Sequence, residues 1–196
     1  MPNTDTANRL LDTAQVLVQR RGYNAFSYKD LAEEIGIRTA SIHYHFKSKA
    51  DLGKALVERY LDALQVTLDD IERQESTAKG QLTRFIDLYR ATEAKSFICL
   101  CGSMASDYTT LPESVQQAVS EYLEHSEAWV ARTLTEGVRT GEFFLDSDPA
   151  DTAATLVASL QGGLIVSRAS QGSATGPRPS ILDTVQRTFL DGLKAP

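Results

Sequence analysis

Apolar residues recur at helical spacing along most of the chain, interrupted by residues that cap or break helices. Leu10, Leu11, Ala14, Leu17 and Val18 form one stripe over 6–22. Gly22 ends that helix, with Arg20 and Arg21 favouring its C-terminal end. Ser27 with Asp30 opens a second helix, which Gly36 closes by taking the left-handed conformation. Thr39 is the expected cap of a third helix running through Ser41, Ile42, Tyr44 and His45. Ser48 with Asp51 starts a long fourth helix, whose seam (Leu52, Leu56, Val57, Tyr60, Leu61, Leu64, Leu68, Ile71) lasts to about residue 74. After a break at 76–80, Leu82, Phe85, Ile86 and Tyr89 mark a fifth helix to about residue 95. A short sixth is expected within 97–108. Thr109, Thr110 and Pro112 lead into a seventh over 112–140, ended by Gly141. Asp148, Pro149 and Asp151 start an eighth, lined by Ala153, Leu156, Val157, Leu160 and Leu164 to about 169. Residues 170–179, rich in Ser, Gly and Pro, read as a loop, and Ser180 with Asp183 caps a ninth helix carrying Leu182, Val185, Phe189 and Leu193. No repeat and no convincing strand is present, so the expected fold is all-α with nine helices.

The stretch 27–49 has the layout of a helix-turn-helix. Ala32 is small where two helices must cross, Gly36 supplies the turn, and Ile42 anchors the second helix from below. That second helix would be the element that reads a DNA major groove.

The net charge of −6 argues against nucleic-acid binding until its distribution is examined. Residues 1–60 hold nine Lys or Arg against seven Asp or Glu, and the remainder holds eleven against nineteen. A mildly basic head on an acidic body suits a protein that touches phosphate at one end. The head is too weakly basic to bind on charge alone, so geometry and the pairing of two heads must contribute.

No apolar run is long enough for a bilayer, and the N-terminus lacks a signal pattern, so a cytoplasmic location is expected and no membrane association. Cys99 and Cys101 are too few for a disulfide framework, and no zinc ligand set surrounds them. His43 and His45, two apart on a helix, point to different sides, and His125 stands alone. No nucleophile–base pair or metal cluster is grouped, so no enzyme, metal or cofactor is expected.

Two segments carry a family resemblance. Tyr-Lys-Asp-Leu-Ala-Glu-Glu-Ile-Gly-Ile at 28–37 is followed at 41–52 by Ser-Ile-His-Tyr-His-Phe-Lys-Ser-Lys-Ala-Asp-Leu. Together they resemble the TetR family of bacterial transcriptional repressors, whose recognition helix ends in Tyr-x-His-Phe or Tyr-x-Tyr-Phe before a Lys, a small polar residue, Lys and an acidic-Leu pair. The resemblance implies a DNA-binding domain at 1–50 and a ligand-binding and dimerisation domain at 51–196. It implies a homodimer formed through the last two helices, double-stranded operator DNA as partner and a small-molecule effector. On that reading Ser41, Tyr44 and His45 project from the recognition helix, with Arg38, Thr39 and Ala40 at its N-terminal end. Lys47 follows it, Lys49 is the phosphate contact, and Ser27 and Tyr28 approach the backbone from the second helix. Ile42 and Phe46 are expected in the core.

Candidates for the effector pocket are Tyr89, Phe97, Cys99, Cys101, Met104, Tyr108, Tyr122 and Trp129, although such apolar residues also serve as plain core. The two cysteines are either small buried hydrophobes or thiols that sense electrophiles or oxidants. The Cys-Leu-Cys-Gly stretch is loosely similar to a region of some branches that respond to electrophiles. Gly162 and Gly163 interrupt the eighth helix, which close approach of another helix or a kink would explain. With Leu160, Leu182, Val185 and Phe189 they make the expected dimer interface.

Overall fold

The computed structural model describes residues 4–170 and 180–193. The described residues contain nine α-helices and no β-strand: α1 (Thr4–Arg21), α2 (Tyr28–Ile35), α3 (Thr39–His45), α4 (Lys49–Gln74), α5 (Ala78–Glu93), α6 (Leu100–Ala105), α7 (Glu113–Arg139), α8 (Pro149–Ser170) and α9 (Ile181–Gln186). A 3-10 turn (Tyr108–Thr110) follows α6, and a π-helical stretch (Arg187–Asp191) continues α9. The expected loop at 170–179 falls outside the described residues, apart from Ser170, which ends α8.

Helix ends follow from local chemistry. Ser27 and Asp30 form a full reciprocal capping box on α2: the Asp30 carboxylate accepts the Ser27 backbone N–H at 2.7 Å and the Ser27 hydroxyl accepts the Asp30 N–H. Ser48 and Asp51 repeat the arrangement at α4. Gly22, Gly36 and Gly141, with φ of +92°, +75° and +73°, end α1, α2 and α7.

Three expectations change. Thr39 does not cap α3; Arg38 holds the extended cap position, its side chain makes no capping bond, and Thr39 is already helical. Gly80 lies inside the first turn of α5 rather than in a break. Thr77 accepts its N–H at 3.1 Å, and the Glu142 carboxylate accepts the N–H groups of Ala78 and Lys79, so the helix starts early despite the glycine. Helix six is shorter than 97–108, because the chain reaches α6 only at Leu100.

Two compact units emerge. The first comprises residues to Ala63 together with Leu100–Tyr122; the second comprises Leu64–Cys99 and residues from Leu123 onward. In the first, α1 packs on α2 and α6, and α2 packs on α3. Leu10, Ala14, Val18, Leu31, Ile42, Leu52, Leu56 and Val57 are buried with Leu100, Met104, Val115 and Val119. Polar bonds join the same pieces: the Ser103 hydroxyl donates to the Val18 carbonyl at 3.1 Å, and the Asn24 amide donates to Thr110 Oγ1 at 2.8 Å. Tyr60 stacks on Tyr122 with centroids 5.2 Å apart.

In the second unit α5 packs on α8 and α9, and α8 on α9. Phe85 stacks on Trp129 at 5.4 Å, and the Trp129 indole N–H donates to Glu72 at 2.7 Å. That bond gives the buried ring a polar outlet. Arg90 bridges Asp87 on its own helix and Asp183 on α9. Burial works against its charge, but the hydrogen bonds it donates to Asp87 and Asp183 outweigh that and raise its pKa. Gly163 has a packing reason within the protomer, since a Cβ there would lie 3.0 Å from Leu182 Cδ2. Helix α8 runs through both glycines without a break.

Candidate nucleic-acid interface

The helix-turn-helix is assembled as its sequence indicates. Ala32 is buried at the helix crossing, Gly36 turns the chain, and Ile42 is wholly buried beneath α3. With Ile42 inward, the opposite face of α3 turns outward. Arg38, Thr39, Ala40, Ser41 and Lys47 are exposed, and Tyr44 leaves 71% of its surface open. His45 is half-buried, its ring edge-on to Tyr44 at 5.2 Å. Phe46 is half-buried rather than fully in the core, because it is the extended residue at which α3 ends. Ser27 is exposed at the cap of α2.

Tyr28 and Lys49 are placed differently from this open set. The Tyr28 ring is buried, and its hydroxyl donates to the carbonyls of Phe46 at 3.1 Å and Ser48 at 2.5 Å. The Lys49 ammonium is half-buried, donates to the Phe26 carbonyl at 2.5 Å, and lies 4.6 Å and 4.4 Å from the centroids of the Tyr23 and Phe26 rings. Burial pulls its pKa below the ordinary lysine value, and the charge of Asp30 opposes that. Tyr23 returns the contact by donating its hydroxyl to the Lys49 carbonyl at 2.8 Å. Burial pushes both phenols up to about 12, with Asp51 adding to the effect at Tyr28, so each is a neutral O–H donor at physiological pH.

His43 completes this cluster. Its Nδ1 lies 3.1 Å from the Lys47 carbonyl, and its ring meets Tyr28 edge-on at 4.9 Å. Neither Tyr23 nor His43 was expected from sequence to have a role here. Gly53 was missed as well. A Cβ at Gly53 would lie 2.8 Å from Tyr23 Cε2 and 3.1 Å from Val115 Cγ2. A glycine costs about 1 kcal/mol in the middle of a strong helix, and that cost is the signal available in the sequence.

The expected pocket residues divide between the units. Cys101, Met104, Tyr108 and Tyr122 belong to the first, and Tyr89, Phe97, Cys99 and Trp129 to the second. Tyr108 is exposed on the 3-10 turn, its hydroxyl 3.0 Å from Ser120 Oγ. Cys101, Met104 and Tyr122 are buried. In the second unit Gln161 of α8 brings two of the candidates together, its amide nitrogen reaching the Tyr89 hydroxyl at 3.3 Å and Cys99 Sγ at 3.4 Å. Phe97 is half-buried, and Trp129 sits in the core against Phe85. Of the expected interface residues, Leu160, Gly163, Leu182 and Val185 are buried within the protomer. Phe189 is half-buried, and a Cβ on Gly162 would meet open space among the described residues. Next to these, Ile165 and Val166 of α8 are exposed.

Comparisons with known proteins agree with this geometry. Residues 10–56 match the profile of bacterial regulatory proteins of the tetR family, and residues 78–176 match that of the tetracyclin repressor-like C-terminal domain. A TetR-family transcriptional regulator from Agrobacterium tumefaciens superimposes with a TM-score of 0.91 at 29% identity, covering 100% of both chains. A TetR transcriptional regulator from Legionella pneumophila does so with a TM-score of 0.83 at 34% identity, covering 98% of each. The transcriptional repressor KstR2 of Rhodococcus jostii is 26% identical, covering 100% of this chain and 97% of that protein.

Proposed function

The chain belongs to the TetR family of bacterial transcriptional regulators, and from that membership we propose that it is a ligand-responsive repressor that binds a near-palindromic operator as a homodimer. Its role is regulatory, not enzymatic. The open face of α3 opposite the buried Ile42 carries this reading most directly. Arg38, Ser41, Tyr44 and His45 would face base edges or phosphates in the major groove. Thr39 and Ala40 at the start of α3, Lys47 after it and Ser27 on α2 would meet the backbone. Two such heads would enter successive grooves about 34–36 Å apart. Residues 1–50 would serve DNA, and 51–196 ligand binding and dimerisation.

In the second unit, the Gln161 amide joins Tyr89 and Cys99, and this cluster would supply the few polar groups that orient a small effector. A ligand that favours a head spacing unlike that of the operator complex would lower operator affinity. Operator DNA must then lower ligand affinity by the same factor. Helices α4 and α7 each supply residues to both units without a break, which supports them as the levers of that coupling. Sensing through Cys99 or Cys101 finds less support, because both thiols are buried and a reactive thiol needs access.

Footprinting of the purified protein on fragments of its source genome tests the reading. It should protect a near-palindromic site with half-sites about one helical turn apart, and Tyr44→Ala should abolish protection at the same concentration. Protection that is absent for the wild-type protein, or unchanged in Tyr44→Ala, would refute the assignment.

A further inference from the structure

In a helix-turn-helix the chain joins the two helices at one end only. Here Gly36 and the residues after it connect the C-terminal end of α2 to the N-terminal end of α3. Ala32 and Ile42 are buried on the two helices. The far ends, where α2 begins and α3 stops, have no covalent link of their own. A side chain spans them instead. Tyr28 is the first residue of α2, and its hydroxyl reaches the carbonyls of Phe46, which ends α3, and of Ser48, just before α4. The Tyr28 ring is buried and meets His43 of α3 edge-on, and His43 Nδ1 approaches the Lys47 carbonyl between those two acceptors. Ser48 also accepts the Leu52 N–H of α4, so the phenol occupies the second acceptor position of that carbonyl. The α2–α3 pair is thereby closed at both ends, covalently at the turn and by hydrogen bonds opposite it.

We propose that Tyr28 is a positioning residue for sequence reading: its hydroxyl sets the angle at which α3 stands on α2, and so the placement of the exposed face of α3 in the groove. The proposal rests on the DNA-binding reading above. It leaves the neighbouring lysine available to phosphate, since the Lys49 ammonium has three N–H donors and spends one on the Phe26 carbonyl. Helix α3 has 7 residues. A helix of that length spans about 10 Å, so a tilt of about 10° around its middle displaces each end by about 0.9 Å. A hydrogen bond to a base edge lengthened by that much is lost. Long cationic side chains on phosphates follow such a tilt, so binding that ignores sequence is spared.

The probes are the duplex that the wild-type protein enriches most from a randomised pool, and an unrelated duplex of equal length. Tyr28→Phe keeps the buried ring and removes the hydroxyl. The amino analogue, p-aminophenylalanine placed at position 28 by nonsense suppression, restores an uncharged donor with an N–H for each carbonyl. Circular dichroism establishes that both variants fold before binding is measured.

Tyr28→Phe should weaken binding to the enriched duplex about tenfold or more and leave binding to the unrelated duplex unchanged within about twofold. The slope of log affinity against log salt should stay as in the wild type, because no charge is removed. The amino analogue should recover most of the discrimination. A tyrosine with a purely structural role would lower the unfolding midpoint and leave the ratio of affinities intact, and that result would overturn the proposal. So would equal loss on both duplexes, or an amino analogue that recovers none of the ratio. If Tyr28→Phe does not fold, the amino analogue is read alone, and a ratio reduced about tenfold in it would overturn the proposal. If the wild-type protein enriches no duplex, the DNA-binding reading fails separately. Amide exchange then decides about the closure: protection over 39–46 should fall about tenfold in Tyr28→Phe while that of α1 is kept, and unaltered protection would overturn the proposal.

Discussion

Gly53→Ala tests whether the head is as tightly assembled as its distances indicate. Alanine in the interior of α4 would normally stabilise the helix by about 1 kcal/mol over glycine. Here the added Cβ would lie 2.8 Å from Tyr23 Cε2, 3.1 Å from its hydroxyl and 3.1 Å from Val115 Cγ2. The ring has little room to swing away. It is buried, its hydroxyl is bound to the Lys49 carbonyl, and the Lys49 ammonium lies on its face. Overpacking of this kind costs about 1–3 kcal/mol, and displacing the hydroxyl from its acceptor adds about 1 kcal/mol. Set against the helix gain, the net destabilisation is about 1–3 kcal/mol. Urea unfolding followed by far-UV circular dichroism, with the m-value checked for constancy, measures it. A variant as stable as wild type or more stable would show that Tyr23 moves freely and that the α3–α4 link is not held as described.

Other variants probe separate parts of the structure. Ser27→Ala should cost about 1 kcal/mol through loss of the α2 cap. The Ser27 hydroxyl, followed by its backbone N–H, lowers the Asp30 pKa, so the bond to the ionised carboxylate contributes stability above the ordinary aspartate range. That contribution disappears as pH falls through the depressed folded value. The stability gap between Ser27→Ala and wild type should therefore be present at pH 7 and shrink below about pH 4; a gap that widens in acid contradicts this. If Gly162 lies in the partner face, Gly162→Leu should weaken self-association in sedimentation equilibrium, and an unchanged dimer constant would remove Gly162 from the interface. Cys99 and Cys101, 3% and 0% exposed, should react with an aromatic disulfide reagent at least about tenfold more slowly in the native protein than in urea. Equal rates would reopen thiol sensing.

Helix periodicity and capping chemistry were readable because they depend on neighbours in sequence. Ser27 with Asp30, Ser48 with Asp51, and Gly36 after Ile35 are local devices, and each appears in the structure as its residue types require. The start of α5 is only partly local: Thr77 caps the Gly80 N–H, but the Ala78 and Lys79 donors are satisfied by Glu142, more than sixty residues away. Lys49 and Tyr28 show the same limit in the site itself. The carbonyls that Lys49 and Tyr28 meet lie about twenty positions away in sequence, so spacing could not reveal those bonds. The apolar candidates for a pocket could not be sorted by spacing either. Met104 and Trp129 both fit a buried helical face, yet they belong to different units. The sequence left Gly163 open between a close helix approach at a dimer interface and a kink, and in the structure Leu182 of the same protomer approaches it.

The central claim is that the exposed face of α3 reads a specific DNA sequence. It is tested most directly by the ratio of affinities of the wild-type protein for its enriched duplex and for a shuffled duplex of the same composition, measured by fluorescence anisotropy at about 0.15 M salt. The account predicts a ratio of about a thousandfold or more, with two chains bound per site. A ratio near one, with binding to both duplexes that simply falls with salt, would contradict it.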